Sequence, residues 1–282
     1  MPSTRPFDLV AFDLDGTTIP HAEKFMPQRT KRAFALAHQR GCVVAAVTGR
    51  PVDMLSFIYD EPWMDYLVTL NGSLVRRASS ASGRAELFGA PLAPTQSAAV
   101  FQALAGLCRG WFAFLHDAEY MERNVFSYMV NLSGASAEEM RTHFPGTELV
   151  DSVPALVAAG DFAGVYKIQC SFGDRQERDE GARRLEALGG LELARMGDRE
   201  IEVTTAGANK GDALVRLAGA LGIDPARGVA FGDDGNDLAM AGKVGSFVAV
   251  ANASEKILAA ADEVCPSVDE CGVATWLEQR LA

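Results

Sequence analysis

Short apolar runs, each stopped by a few polar residues, recur near both ends of this chain. Phe7-Asp8-Leu9-Val10-Ala11-Phe12 reads as a buried strand ending at Asp13-Leu14-Asp15-Gly16-Thr17-Thr18. Gln28 to Gly41 has the amphipathic pattern of a helix with a glycine stop. Cys42 to Val47 is a second strand, ending at Thr48-Gly49-Arg50, and Pro51 to Tyr59 predicts a short helix with proline in its first turn. Tyr66 to Leu70 is a third strand, ending at Asn71-Gly72. This strand-helix alternation predicts an α/β fold with a doubly wound parallel sheet.

The rhythm then breaks. A polar stretch from Arg76 to Arg84 reads as a hairpin tip, and Pro91 and Pro94 follow. Residues 95 to 202 predict a mixed set of elements. Strands are expected at Trp111 to His116, Val125 to Leu132 and Val165 to Phe172, and a helix at Gln176 to Leu188. This is the pattern of an α+β module, residues 91–203, inserted into a sheet domain made of 1–90 and 204–282. After Thr204 the alternation returns. It predicts helices at Lys210 to Leu221, Asn236 to Gly242, Ser254 to Ala261 and Gly272 to Leu281, with strands at Gly228 to Phe231 and Ser246 to Val250.

In an open parallel sheet, chemistry collects beyond the carboxyl ends of the strands. Four such ends carry polar residues: Asp13/Asp15, Thr48, Asn71, and Gly232-Asp233-Asp234-Gly235-Asn236-Asp237. Asp13 and Asp15, two apart on an extended backbone, point the same way. By itself that stretch reads equally as an Asp-Gly turn closing a strand. Lys210, opening a helix after Asn209, is a poor partner for the helix dipole and taken alone reads as a solvated charge. Together, Asp13, Asp15, Asp233 and Asp237 bring about four negative charges to one edge. Mg²⁺ and Lys210 would compensate them and suit phosphoryl transfer. The Asp233 cluster is not a calcium loop, since Gly235, Leu238 and Val244 fall at the third, sixth and twelfth positions.

Composition narrows the classes. A net charge of −11 over 282 residues argues against a nucleic-acid footprint. No run near 18 apolar residues predicts a membrane span, and no apolar signal segment precedes the first strand. The five cysteines are scattered and lack a Cys-x-x-Cys pair, which points to a reducing cytoplasm. The histidines at 21, 38, 116 and 143 are remote in sequence from the strand ends, and no Gly-x-Ser-x-Gly or dinucleotide-binding loop occurs.

The ordered set Asp13-x-Asp15-Gly16-Thr17, Thr48-Gly49-Arg50, Asn71-Gly72, Asn209-Lys210-Gly211 and Gly232-Asp233-Asp234-Gly235-Asn236-Asp237 resembles the haloacid dehalogenase superfamily. Within it, the chain is most similar to the Cof-type phosphatases with a large α+β cap. Ala251-Asn252-Ala253 and Gly272-Val273-Ala274 agree, whereas Cys271 stands where that group often has an acid. The resemblance implies an Mg²⁺-dependent phosphatase of small phosphorylated metabolites. Asp13 would be the nucleophile and Asp15 the proton shuttle, its backbone carbonyl facing the metal. Thr48 and Lys210 would hold phosphoryl oxygens. Asp13 and Asp233 would bind the metal, with Asn236 and Asp237 completing or orienting its shell. Gly49, Asn71 and Gly72 would line the phosphate pocket, with Arg50 and Asn209 as further contacts. The insert would be the cap that reads the leaving group, with Lys167 a candidate for a substrate anion. A phosphomutase, or a silent metabolite-binding regulator on the same scaffold, are the alternatives. Oligomeric state is not indicated.

Overall fold

The computed structural model describes residues 5–282 apart from 22, 24, 79–84, 117, 145 and 161–163. The chain divides into two compact units, one made of Met1–Phe88 with Asn209–Ala282 and the other of Gly89–Ala208. The second edge falls later than the expected 203/204. Its last strand runs on to Thr205, and the Thr204 hydroxyl then donates to the Ala208 carbonyl at 2.8 Å.

The first unit begins with β1 (Leu9–Phe12), α1 (Gln28–Gln39), β2 (Val43–Val47), β3 (Tyr66–Thr69), β4 (Leu74–Arg77) and β5 (Glu86–Gly89). The second unit carries α2 (Pro94–Ala103), β6 (Gly110–Leu115), β7 (Glu119–Glu122), α3 (Arg123–Ser133), α4 (Ala137–Arg141), β8 (Thr147–Val150) and α5 (Val153–Ala159). It continues through β9 (Val165–Ser171), α6 (Arg175–Glu186), β10 (Leu191–Met196) and β11 (Glu200–Thr205). The first unit resumes with α7 (Lys210–Ala220), β12 (Gly228–Gly232), β13 (Ser246–Val250), α8 (Glu255–Ala260), β14 (Glu263–Cys265) and α9 (Gly272–Leu281).

The sheet of the first unit has the order β14-β13-β12-β1-β2-β3-β4-β5. Its first six strands are parallel neighbours, and β4 turns back antiparallel to β3. The hairpin tip expected within 76–84 lies, from residue 79 on, outside the described residues. Because successive side chains alternate faces, Val10 and Phe12 enter one core and Leu9 and Ala11 the other. Phe12 stacks on Phe34 of α1 at 4.0 Å, and α1 packs against α9 on that side. Leu214 and Leu217 of α7 cover the opposite face. A strand buried on both faces must be apolar throughout, which is why β1 and β2 lack the polar alternation of a half-exposed strand. Phe12 lies beside Phe231 and Ala46, so Asp13, Gly232 and the end of β2 come level at one edge.

The second unit is a six-stranded sheet ordered β10-β11-β9-β6-β7-β8, antiparallel except between β7 and β8. Val100 of α2, Leu104 at its C-terminal cap, and Ala182 and Leu185 of α6 close one face over Trp111, Ile168 and Ile201. Lys167 is buried here, its ammonium 2.5 Å from Glu202 and 4.3 Å above the Phe114 ring.

Three expectations are corrected. Val125 to Leu132 is not a strand but lies within α3. Its β-branched and aromatic residues favour a strand locally, yet Phe126, Met129 and Val130 recur at helical spacing, with Phe126 buried. Gly134, left-handed at φ 69°, closes that helix. The helix expected at Asn236 to Gly242 is a 3₁₀ segment, Gly235–Met240, and the one after Pro51 is only Val52–Leu55. The three-residue edge strand β14 was too short to show as a periodic run. Among the described residues no helix is long and apolar enough to cross a membrane, and all five cysteines are free thiols.

Candidate active site

Every polar group singled out at the strand ends belongs to the first unit. Leaving β1, the chain turns sharply. The Thr18 hydroxyl donates to the Asp13 carbonyl at 2.7 Å, and the Thr18 and Ile19 amides donate to the Leu14 carbonyl. The turn needs Gly16 for two reasons: φ is +79°, and a β-carbon there would sit 2.2 Å from Asp233 Oδ2. Asn252 ties the turn down, donating to the Gly16 carbonyl and accepting from the Val268 amide, both at 2.8 Å.

Lys210, the first residue of α7, is buried with its Nζ 2.6 Å from both Asp13 Oδ1 and Asp237 Oδ1. Asn209 caps the helix, its side chain accepting from the Asp212 amide at 2.9 Å and donating to the Asp212 carboxylate. Close backbone approach brings the ammonium to the acids. A β-carbon on Gly211 would lie 1.7 Å from the Ala239 carbonyl oxygen, so only glycine lets the start of α7 rest on the Gly235–Met240 segment. Gly72, at φ +99°, makes a similar approach to the Asn209 carbonyl.

Asp237 is wholly enclosed. One oxygen takes Lys210, and the other accepts the Asp233 and Asp234 amides at 2.9 and 3.2 Å. Asp233 takes the Thr17 hydroxyl on Oδ1 at 2.6 Å. Thr48 is buried and its hydroxyl accepts the Arg50 amide at 3.1 Å. The neighbouring turn is strained, with Leu70 and Asn71 both left-handed at φ 52° and 58°. Asn71 is held there by its amide on the Thr48 carbonyl and by Asn236, which donates to its side-chain oxygen at 3.1 Å. Gly49 lies between Thr48 and Arg50 at the same edge.

Burial pushes the Asp13 carboxyl well above its usual range; Lys210 pulls it down, and Asp237 and Asp233 push it up further. Burial also opposes the charge on Lys210, but Asp13 and Asp237 outweigh it, and the ammonium is held more firmly than in water. Burial raises Asp233 to about 6, against the opposing Thr17 hydrogen bond. Asp13, Asp233 and Asp237 can each offer an oxygen within 4.8 Å of the others. Three buried carboxylates facing one ammonium leave two negative charges, the amount a divalent cation neutralises. The donors are all hard oxygens, which suits Mg²⁺.

Asp15 lies elsewhere. Its side chain is half-exposed and forms a two-pronged ion pair with Arg50, whose Nε is 2.7 Å from Oδ2 while Nη2 meets Oδ1. Sequence reasoning missed this pairing, as well as the support given to Asp233 by Thr17 and to the turn by Asn252. Thr17 and Asn252 stood in the motifs but carried no assigned role. His21, remote from the strand ends in sequence, packs its ring beside Gly16.

A family model described as haloacid dehalogenase-like hydrolase matches residues 10–277. The 5-amino-6-(5-phospho-D-ribitylamino)uracil phosphatase YitU of Bacillus subtilis is 24% identical, covering 99% of each chain. A haloacid dehalogenase-like hydrolase from B. subtilis superposes with a TM-score of 0.82 at 23% identity, over 96% of this chain and 99% of that one. The subclass IIB sugar phosphatase BT4131 superposes at 0.78 with 20% identity, over 96% and 98%. At these identities the structural likeness speaks for the fold, while the family match spans nearly the whole sequence and contains all four strand ends. This chain is an enzyme of the haloacid dehalogenase-like hydrolase family.

Proposed function

We propose that the chain is an Mg²⁺-dependent phosphatase that hydrolyses phosphate monoesters of small metabolites through an aspartyl-phosphate on Asp13. The observation that carries this reading is the buried Lys210 ammonium bridging Asp13 and Asp237, with Asp233 alongside. The phosphatase names of the similar proteins support it. Asp13 and Asp233 would hold the metal, together with the main-chain carbonyl of Asp15. Asp237, its oxygens already engaged, would orient Lys210 and the Asp233 backbone. When bound, the cation would offset charge on the phosphoryl oxygens.

An Asp13 carboxylate oxygen attacks phosphorus, and the bond from phosphorus to the alcohol oxygen breaks. That oxygen keeps the electron pair and takes the proton of Asp15. Water then attacks phosphorus and gives a proton to the Asp15 carboxylate. The phosphorus–Asp13 bond breaks, releasing phosphate and restoring both acids. Splitting the reaction in this way replaces one very slow hydrolysis by two easier displacements. Lys210 and Thr48 would hold phosphoryl oxygens, with Gly49, Asn71 and Gly72 along the pocket. Residues 89–208 would form the cap that excludes water and selects the leaving group.

The test is phosphate release from a broad panel of phosphorylated metabolites with Mg²⁺ and with a chelator. Turnover should need the metal and vanish in Asp13→Asn, while the variant keeps its far-ultraviolet circular dichroism. Turnover that survives Asp13→Asn would remove the nucleophile assignment. An isomerised phosphosugar formed without free phosphate would replace hydrolysis by a mutase reaction.

A further inference from the structure

Arg50 was expected at the phosphate pocket, yet both prongs of its guanidinium lie on Asp15. The arginine is anchored along its length. Its amide donates to the Thr48 hydroxyl and its carbonyl accepts the Leu70 amide at 3.3 Å. Pro51 follows it, and its guanidinium lies 6.0 Å from the centre of the Phe57 ring, which Phe25 meets edge-on at 5.9 Å. Asp15 is anchored from the other side by the turn that Gly16 and Asn252 hold. A planar fork meeting a carboxylate at two points sets the plane and rotamer of that carboxylate as well as its charge, which a lysine cannot do. The edge that Asp15 takes is the one formed by Nε and Nη2, the edge fixed most directly by the Arg50 side chain.

We infer that Arg50 is a positioning residue for Asp15, holding the proton-transfer carboxylate in one orientation at the rim of the site, and is not a ligand of the phosphoryl group. This rests on the phosphatase reading. For Asp15 to protonate the leaving oxygen it must first take up a proton from solvent, and the oxygen that carries it must leave the guanidinium while the other stays. Arg50 therefore acts as the pivot of that motion. Its loss should hurt most where the leaving oxygen needs a proton, in the step that forms the phosphorus–Asp13 bond and breaks the ester bond.

The experiment compares wild type, Arg50→Met and Arg50→Lys on two esters, p-nitrophenyl phosphate and phenyl phosphate, whose leaving groups differ in their need for a proton. For each, kcat/KM reports the steps from binding through the first displacement, and inhibition by inorganic phosphate reports binding without chemistry. Arg50→Met should lose about tenfold more kcat/KM on phenyl phosphate than on p-nitrophenyl phosphate, one proton-transfer contribution being worth a hundredfold or more. Its inhibition constant for phosphate should stay within about threefold of wild type. Arg50→Lys, which restores charge but not the fork, should recover only part of the difference. Equal losses on both esters, or phosphate inhibition weakened in step with kcat/KM, would overturn the inference and return Arg50 to a structural or phosphate-binding role. If wild type with Mg²⁺ cleaves neither ester nor any of the metabolite panel, the phosphatase reading itself fails and the role of Arg50 falls with it. Should Arg50→Met not fold, the Arg50→Lys ratio alone decides, since a purely structural defect lowers both esters alike.

Discussion

At the scale of single residues, the site is a problem in placing charge. Lys210 and Asp237 are fully enclosed, and a buried ion pair is retained at a desolvation cost that only good geometry and further hydrogen bonds offset. Asp237 meets that condition with an ammonium on one oxygen and two backbone amides on the other. Among the described residues the Asp233 side chain takes only the Thr17 hydroxyl, on Oδ1, which leaves Oδ2 the oxygen best placed to serve a cation. Groups that orient a metal ligand commonly change affinity by about 10–100-fold when removed. Thr17→Val should therefore raise the Mg²⁺ concentration for half-maximal turnover about tenfold, with most of the rate returning at saturating Mg²⁺. A metal titration of phosphate release checks this; an unchanged half-saturation would mean that Thr17 does not act through Asp233.

At the scale of elements, two glycines in one helix separate site geometry from helix propensity. A β-carbon on Gly211 would collide with the Ala239 carbonyl at 1.7 Å, whereas one on Gly219 meets nothing within 4 Å. Gly211→Ala should push the start of α7 off the Gly235–Met240 segment, costing about 1–3 kcal/mol as an overpacking strain and lowering turnover by displacing Lys210. Gly219→Ala should leave turnover unchanged and stabilise by about 0.5–1 kcal/mol, because alanine gives up less backbone entropy in a helix. Thermal unfolding and initial rates on the two variants test both halves. The same elements show where local pattern misleads. The Val125–Leu132 segment has strand-forming residues, but its single buried anchor, Phe126, is satisfied by one face of a helix. Tertiary packing chose between two periods that the local sequence leaves close in energy.

At the scale of the molecule, one part of the acidic chain's response to pH can be traced to a single knot. Asp8 joins Arg5, at 2.6 Å, and Arg227, at 2.5 Å, tying the entry of β1 to the entry of β12. The Arg227 hydrogen bond, with Arg5 beside it, lowers the Asp8 carboxyl from 3.8 to about 2, although burial opposes this. A carboxyl with a lowered folded value stabilises the fold above its unfolded value and loses that contribution as pH falls through the folded one. Between about pH 4 and 2 the protein should lose about 1 kcal/mol on this account, after allowance for solvent screening. Asp8→Asn should be less stable near neutral pH and show a flatter acid limb; identical limbs in denaturant titrations would remove Asp8 from that role. The doubly wound sheet, the inserted module and the strand ends bearing the acids were all legible in the sequence. Burial on both faces demands unbroken apolar runs, and the residues that halt such runs mark the edge where chemistry collects. The contacts made there were not. Taken alone Lys210 reads as a solvated charge, and it is the approach that Gly211 allows between α7 and the Gly235–Met240 segment that buries it between Asp13 and Asp237; the pairing of Arg50 with Asp15 has no signal in the local sequence. Apolar periodicity is a local property that one strand or helix states alone. The partner of a charged side chain is settled by close approaches between elements up to some two hundred residues apart, and only the folded chain makes them.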